Sequence, residues 1–248
     1  MNLGWPLQVP KPGLGWMRLG SPAPAPSSSG LPLGGGAAGA VGAADTPAGR
    51  PAVFIDKDGT LIDNVPYNVD PALLRFKPAA CESLAALAVA GYALLIVTNQ
   101  SGLAHGYFTR AQLVRLQGVL EQQLHAAAGV SLLDFVVCPH APAPGGAPAC
   151  LCRKPAPGML LRAARKHGID LSRSWMVGDT LDDVEAGHRA GCRTVHFDSG
   201  GETVWRRSPL RTPHVSCTAW DDVVHQVLSH SDTPLQPVAG AGLGAPGR

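Results

Sequence analysis

The sequence has few aromatic residues, a small net charge and no long apolar run. Aromatic residues make up 5% of the 248 positions, and the formal net charge is +2 without a long basic block. Proteins that bind nucleic acids broadly need basic strips or stacking aromatic side chains, so we expect no nucleic-acid partner. No apolar run reaches the roughly 18 residues that a transmembrane helix needs. We therefore expect no membrane partner either.

The two ends of the chain differ from its middle in composition. Residues 1–50 are dominated by Gly, Pro, Ala and Ser, as in SPAPAPSSSGLPLGGGAAGAVGAA, and the chain ends in TPLQPVAGAGLGAPGR. Such segments cannot bury enough apolar surface to fold. We therefore predict a disordered leader over 1–50, one folded domain over 51–228 and a disordered tail over 229–248.

Between these ends, apolar runs typical of buried strands alternate with helical segments. The predicted strands are 53–55, 93–97, 132–137, 175–177 and 193–197. The predicted helices are 78–90, 109–127, 157–167 and 181–190, and Thr109 with Gln112 has the pattern of a capping box. The alternation predicts an α/β fold with a parallel sheet and helices on both faces. Ligands of such sheets bind at the carboxyl ends of the strands.

Two aspartates follow the first predicted strand directly. In AVFIDKDGTLI, Asp56 and Asp58 are two positions apart, so both side chains can point the same way. Carboxylates at the end of a buried strand need a partner, which a divalent cation would supply. The same letters alone also fit a strand end followed by an ordinary Asp-Gly turn.

Polar motifs occur at three further places. TNQSG over 98–102 offers a hydroxyl and backbone N–H groups for phosphate oxygens, and Arg153 with Lys154 suits anion recognition. In GDTLDD over 178–183, Asp179 lies where a second metal ligand would be needed. Asp182 and Asp183 fit compensation of the helix macrodipole. Each motif alone could also be an ordinary polar loop or a solvated surface pair.

The ordered set DxDGT, TNQSG, RKP and GDxxxD resembles the haloacid dehalogenase superfamily of phosphatases over residues 52–200. The resemblance implies a Rossmann-like fold and an aspartyl-phosphate intermediate. In the implied mechanism, Asp56 would attack phosphorus, and Asp58 would act as general acid and then as general base. Mg²⁺ would be bound by the Asp56 carboxylate, the Asp58 backbone carbonyl and Asp179. Thr98 and Lys154 would hold the transferring phosphoryl group.

The six cysteines are unevenly distributed. Cys138, His140, Cys150 and Cys152 form a C-x-H and a C-x-C pair, whereas the other three cysteines are isolated. Three sulfurs and one imidazole make a closed ligand set, so we predict a structural zinc in the loop 138–154. The ion would also fix the Arg-Lys pair that follows the last cysteine. The cysteine pattern fits a reducing cytoplasm, where we place the protein.

A zinc loop in this fold resembles the subfamily of D-glycero-D-manno-heptose 1,7-bisphosphate 7-phosphatases, with which histidinol-phosphate phosphatases share the loop. The stretches TNQSGLAHGYFT, CRKPAPGMLL and MVGDTLDD carry the resemblance. The implied substrate-binding residues are Asn64, Val65, Pro66, Tyr67, Thr98, Asn99, Gln100, Ser101, Arg153 and Lys154. The intervals between the motifs leave no room for a cap domain, so we expect an uncapped site.

These observations rank four functions. The leading one is a monomeric Mg²⁺-dependent phosphatase that removes the 7-phosphate of D-glycero-D-manno-heptose 1,7-bisphosphate, a small sugar-phosphate substrate. A histidinol-phosphate phosphatase should place extra carboxylates near the zinc loop, and the loop has none. A DNA 3′-phosphatase should carry a basic strip or stacking aromatics. A non-enzymatic phosphate-binding scaffold should lack Asp56 or Asp58, and both are present.

Overall fold

The computed structural model describes residues 49–143, 150–203, 205–230 and Leu235. Positions 1–48 of the expected leader lie outside these residues, as do 231–234 and 236–248 of the expected tail and 144–149 of the expected zinc loop. At the start of the described chain, Arg50 forms a parallel bridge to Ile169. Its backbone N–H donates to the Gly168 carbonyl at 3.1 Å.

Six parallel strands form one sheet in the order β3-β2-β1-β4-β5-β6. The strands are β1 (Ala52–Ile55), β2 (Ala93–Asn99), β3 (Asp134–Cys138), β4 (Trp175–Gly178), β5 (Arg193–Phe197) and β6 (Val215–Cys217). The helices are α1 (Ala80–Val89), α2 (Gly102–His105), α3 (Arg110–Ala128), α4 (Gly158–His167), α5 (Leu181–Ala190) and α6 (Trp220–Ser229). The predicted α/β class with a parallel sheet is confirmed.

The predicted capping box starts α3. The Gln112 backbone N–H donates to Thr109 Oγ1 at 3.3 Å, and the Thr109 N–H donates to Gln112 Oε1 at 2.8 Å. The predicted third strand begins two residues too early, because β3 pairs with β2 only from Asp134 onward. We did not predict α2, β6 or α6. β6 spans only three residues at the sheet edge, which leaves little periodicity to detect.

Each face of the sheet packs against its own helices. Val53 and Ile55 of β1 belong to the core that α1, α3 and α6 cover, whereas Phe54 belongs to the core beneath α4 and α5. Successive strand residues alternate between faces, so the short run AVFI supplies both cores and all four residues are buried. Strands covered on both faces read as continuous apolar runs, as β1 does.

The strand order fixes where a ligand site can form. The chain runs from β1 outward to β3, then returns to place β4 on the other side of β1. Such a switch point opens a crevice at the carboxyl ends of the two neighbouring strands. Residues 56–92 and 100–133 hold only α1, α2, α3, one short 3-10 turn and loops, so this described part has no cap domain. No helix in the described ranges is long and apolar enough to cross a membrane.

Candidate active site

A buried ion pair joins Asp56 and Lys154 at the switch point. The Asp56 N–H donates to the Val177 carbonyl of β4 at 2.9 Å, which ties the end of β1 to its neighbour. The Lys154 ammonium donates to Asp56 Oδ1 and, at 2.8 Å, to the Val97 carbonyl of β2. Burial raises the pKa of Asp56 to about 8, although the Lys154 charge opposes the rise. The two predicted catalytic residues are thus in contact.

Asp183 is the second carboxylate that contacts Lys154. Its Oδ1 lies 2.6 Å from Lys154 Nζ. Its Oδ2 accepts from the Thr180 hydroxyl at 2.6 Å and from the Thr180 N–H at 3.1 Å, which closes a capping box on α5. A Cβ at Gly178 would lie 2.3 Å from the Asp183 side chain, so the glycine is required there. Asp183 therefore orients Lys154, a contact that its position in the first helical turn did not reveal.

Two neighbouring carboxylates explain why Lys154 is protonated although it is buried. Burial alone would lower the pKa of this amine, but the carboxylates of Asp183 and Asp56 outweigh burial and raise it above its ordinary value. The lysine is therefore a permanent cation next to Asp56, as an electrostatic partner of a phosphoryl group must be.

Asp58 is oriented by two neighbours. Lys57 Nζ lies 2.8 Å from Asp58 Oδ1, and the Gln100 amide donates to Asp58 Oδ2 at 2.8 Å. The same amide donates to the Thr98 hydroxyl oxygen at 3.0 Å, so it bridges the ends of β1 and β2. Lys57 is 1% exposed, while the Asp58 side chain keeps 26% of its surface exposed. Asp58 is thus held in place yet open to a substrate.

Asp179 completes a carboxylate cluster that fits a divalent cation. Oxygens of Asp56, Asp179 and Asp183 lie within 4.8 Å of one another. Burial, reinforced by the Asp183 charge, raises the pKa of Asp179 to about 6. Gly59 has a φ of +87°, and a Cβ there would lie 2.0 Å from Asp179 Oδ2. Buried carboxylate oxygens are the ligands that Mg²⁺ prefers, so the residues fit this ion.

The predicted zinc ligands also meet. The sulfur atoms of Cys138, Cys150 and Cys152 lie 3.3 to 3.6 Å apart. His140 Nδ1 lies 3.5 Å from the Cys138 sulfur and 3.3 Å from that of Cys152. A tetrahedral site with zinc–sulfur bonds of about 2.3 Å has sulfur–sulfur edges of roughly 3.7 Å, so the four atoms fit zinc. Arg153 lies directly beside this cluster, and its N–H donates to the Cys150 sulfur at 3.3 Å.

A cavity of about 490 Å³ opens above these groups. The predicted residues that line it are Asp56, Asp58, Asn64, Thr98, Asn99, Arg153, Lys154 and Asp179. Five other described residues that we predicted do not line it, namely Val65, Pro66, Tyr67, Gln100 and Ser101. Gln100 is buried behind Asp58, and Tyr67 packs edge-on against Tyr107 with ring centroids 4.7 Å apart.

Several lining residues were missed from the sequence. They are Thr180, Asp182, Asp183, Gly201, Glu202, Thr203, Arg206 and Arg211. Those after position 200 follow β5 in a stretch without any of the four motifs. The only sequence signal there is the arginine-rich run RRSPLR over 206–211.

Comparison with known proteins agrees with this geometry. A family model described as HAD-hydrolase-like matches residues 151–218. The D-glycero-beta-D-manno-heptose-1,7-bisphosphate 7-phosphatase of Photorhabdus laumondii is 41% identical over 141 residues, which cover 56% of this chain and 74% of that protein. The protein of the same name from Helicobacter pylori strain 26695 is 32% identical over 175 residues, covering 70% of this chain and 95% of that protein.

Solved structures give the same result. D,D-heptose 1,7-bisphosphate phosphatase from B. bronchiseptica, complexed with magnesium and phosphate, is 29% identical with a TM-score of 0.61, covering 73% of this chain and 99% of that one. A HAD-like phosphatase from Mesorhizobium loti is 31% identical with a TM-score of 0.62, covering 78% and 91%. The chain therefore belongs to the D-glycero-beta-D-manno-heptose-1,7-bisphosphate 7-phosphatase family of haloacid dehalogenase-like hydrolases and is a phosphoric monoester hydrolase.

Proposed function

We propose that the protein hydrolyses the 7-phosphate of D-glycero-D-manno-heptose 1,7-bisphosphate through an aspartyl-phosphate on Asp56. The observation that carries the proposal is the contact of the Asp56 carboxylate with Lys154, itself held by Asp183, at the floor of the cavity. This contact puts a nucleophile and a fixed cation at one point, as transfer of a phosphoryl group requires.

The proposed first half-reaction uses Asp56 as the nucleophile and Asp58 as the general acid. An Asp56 oxygen attacks phosphorus and forms the aspartyl-phosphate as the bond to the substrate's O7 breaks. Asp58 gives its proton to that oxygen, which leaves as the alcohol. Lys154 offsets charge on the phosphoryl oxygens, and Thr98 contributes its hydroxyl from the end of β2.

The second half-reaction regenerates the enzyme. Asp58, now a carboxylate, takes a proton from water while the water oxygen attacks phosphorus. The bond between phosphorus and the Asp56 oxygen breaks, and inorganic phosphate leaves. Asp56, Asp179 and the Asp58 backbone carbonyl would hold Mg²⁺, which supplies positive charge that favours ionised carboxylates and offsets the phosphoryl charge.

The zinc loop has a separate role in the proposal. Cys138, His140, Cys150 and Cys152 would hold a structural zinc. The ion would anchor the segment that continues directly into Arg153 and Lys154, because the Arg153 guanidinium also donates to the His140 carbonyl at 3.2 Å.

The experiment is phosphate release from purified protein with Mg²⁺, comparing the α and β anomers of heptose 1,7-bisphosphate with histidinol phosphate. We expect kcat/KM on one heptose anomer to exceed that on histidinol phosphate by at least about a hundredfold. Preference for histidinol phosphate would overturn the substrate and leave the roles of Asp56 and Asp58 standing. Activity that persists after complete removal of Mg²⁺ would overturn the metal dependence.

A further inference from the structure

The connection between β5 and β6 (residues 198–214, described except at position 204) contributes a wall of the active-site cavity. Glu202, Thr203, Arg206 and Arg211 from this connection line the cavity together with Arg153 and Lys154. Four of the lining residues are therefore cations, and they come from two separate segments of the chain.

Two of these cations are already neutralised by carboxylates. Lys154 contacts Asp56 and Asp183. The Arg211 guanidinium lies 2.7 Å from Asp182 Oδ1 and 2.6 Å from Glu185 Oε2, so it is occupied by α5. These two residues cannot supply charge to a second anion without breaking an ion pair.

The other two cations have no carboxylate partner in the part of the chain that the structure describes. The Arg153 guanidinium donates only to the backbone carbonyl of His140, and no ion pair among the described residues involves Arg206. Arg206 is also exposed. A cavity that presents two uncompensated guanidinium groups attracts an anion, and a guanidinium binds phosphate oxygens in bidentate fashion.

The connection that carries Arg206 is fixed on both sides of it. Before it, Glu202 Oε2 accepts the Leu181 N–H at 2.8 Å, at the start of α5. After it, Arg211 forms its ion pairs to α5. Trp205 packs edge-on against the buried ring of His196 on β5, with centroids 5.4 Å apart. Contacts at three residues of the connection therefore restrict the backbone from which the Arg206 side chain extends.

We propose that Arg206 determines specificity by binding, together with Arg153, the phosphate of a bisphosphate substrate that is not transferred. The inference rests on the proposed function, because it names the group that holds the sugar's second phosphate. The transferred phosphate lies over Asp56 and Lys154, and the second one meets the guanidinium groups at the cavity wall. A substrate without that phosphate gains nothing from Arg206.

The test compares Arg206→Gln with Arg207→Gln on heptose 1,7-bisphosphate and on heptose 7-phosphate. Arg207 is the matched control, because it is adjacent and exposed but lines a different cavity with His196 and Ser216. For Arg206→Gln we expect kcat/KM on the bisphosphate to fall about 10- to 100-fold, mainly through KM, with the 7-phosphate changed less than about twofold. Arg207→Gln should match the wild type on both substrates.

The outcomes separate this inference from the proposed function. Wild-type protein that prefers histidinol phosphate overturns both. Wild-type protein that hydrolyses the 7-phosphate as well as the bisphosphate overturns this inference alone. Wild-type preference that survives in Arg206→Gln overturns the role of Arg206 alone. An equal loss on both substrates also overturns it, since the residue would then act on the transferred phosphate. Melting temperatures of the two variants confirm that each is folded.

Discussion

Asn99 and Lys154, 55 residues apart in the sequence, are joined by a reciprocal pair of hydrogen bonds. The Lys154 N–H donates to Asn99 Oδ1 at 3.1 Å, and Asn99 Nδ2 donates to the Lys154 carbonyl at 3.2 Å. The end of β2 thus holds the backbone of the loop that carries Lys154, the proposed catalytic cation. A side chain that we expected to contact substrate fixes the position of Lys154.

Asn99→Ala should therefore lower activity more than stability. Loss of both bonds frees the Lys154 backbone, and we expect kcat to fall about tenfold or more, since small displacements of a charged group cost transition-state stabilisation. The matched control is Asn68→Ala, because Asn68 makes the same two bonds, at 2.7 and 3.2 Å, to the backbone of Asp70. The measurement is the steady-state kcat of both variants. Equal kcat values for Asn99→Ala and Asn68→Ala would contradict the positioning role of Asn99.

Asp56→Asn should abolish turnover and leave the fold intact. The amide cannot form the acyl phosphate, so we expect kcat to fall by about a thousandfold or more. Lys154 keeps its contact with Asp183, which limits the effect on the melting temperature. Asp63→Asn is the control, because Asp63 lies 3.0 Å from Lys77 on the surface. Phosphate release near the wild-type rate in Asp56→Asn would eliminate the covalent mechanism.

Gln100→Leu should impair Asp58 without removing it. The substitution deletes the bridge between Asp58 and Thr98, so the proposed general acid keeps only Lys57 as a partner. We expect kcat to fall about tenfold, part of the 10²–10⁴-fold that general acid–base catalysis supplies. Gln117→Leu removes a comparable bond, to Glu121 on α3, as a control. An unchanged kcat in Gln100→Leu would show that Asp58 needs no such support.

Loss of one cysteine of the Cys₃His cluster should prevent zinc binding and lower both stability and kcat. For Cys152→Ser we expect less than one zinc per chain by elemental analysis, a lower melting temperature and a lower kcat, because Arg153 and Lys154 follow directly. Cys81→Ala is the control, since Cys81 is an isolated buried cysteine of α1. Wild-type protein that contains no zinc yet keeps its stability and activity would refute the structural-zinc proposal.

His214 should make stability depend on pH. Burial, together with the charges of His188, Arg193 and His230, lowers the pKa of His214 to about 4. In the unfolded chain a histidine has a pKa of about 6.5, so below that pH the unfolded state binds more protons than the folded state. The contribution of His214 to the free energy of unfolding is therefore complete above about pH 6.5 and is lost as pH falls toward 4. We expect the melting temperature to drop between pH 7 and pH 5, and to drop less in His214→Asn. His125→Asn, at an exposed position of α3, should keep the full drop.

The predicted boundaries of a helix are correct where the sequence marks both of its ends. α5 runs over Leu181–Ala190 as predicted, because a capping residue precedes it and Gly191, in a left-handed conformation, follows. α6 was missed although Trp220, Val223 and Val227 have helical spacing and are buried. The Trp220 indole donates to the Thr60 carbonyl at 3.0 Å, so this helix supports the loop after Asp58 across 160 residues.

The sequence by itself determined the strand–helix alternation, the carboxylates and cations after the strands, and the closed set of three cysteines and one histidine. These features depend on local periodicity and on ligand types at short spacing. Only the tertiary structure decided that Asp183 holds Lys154, that Gln100 bridges Asp58 to Thr98, and that Arg206 enters the cavity. The physical reason is that each of these roles rests on side chains brought within a few ångströms by strand order, and distances across a sheet leave no pattern in the sequence.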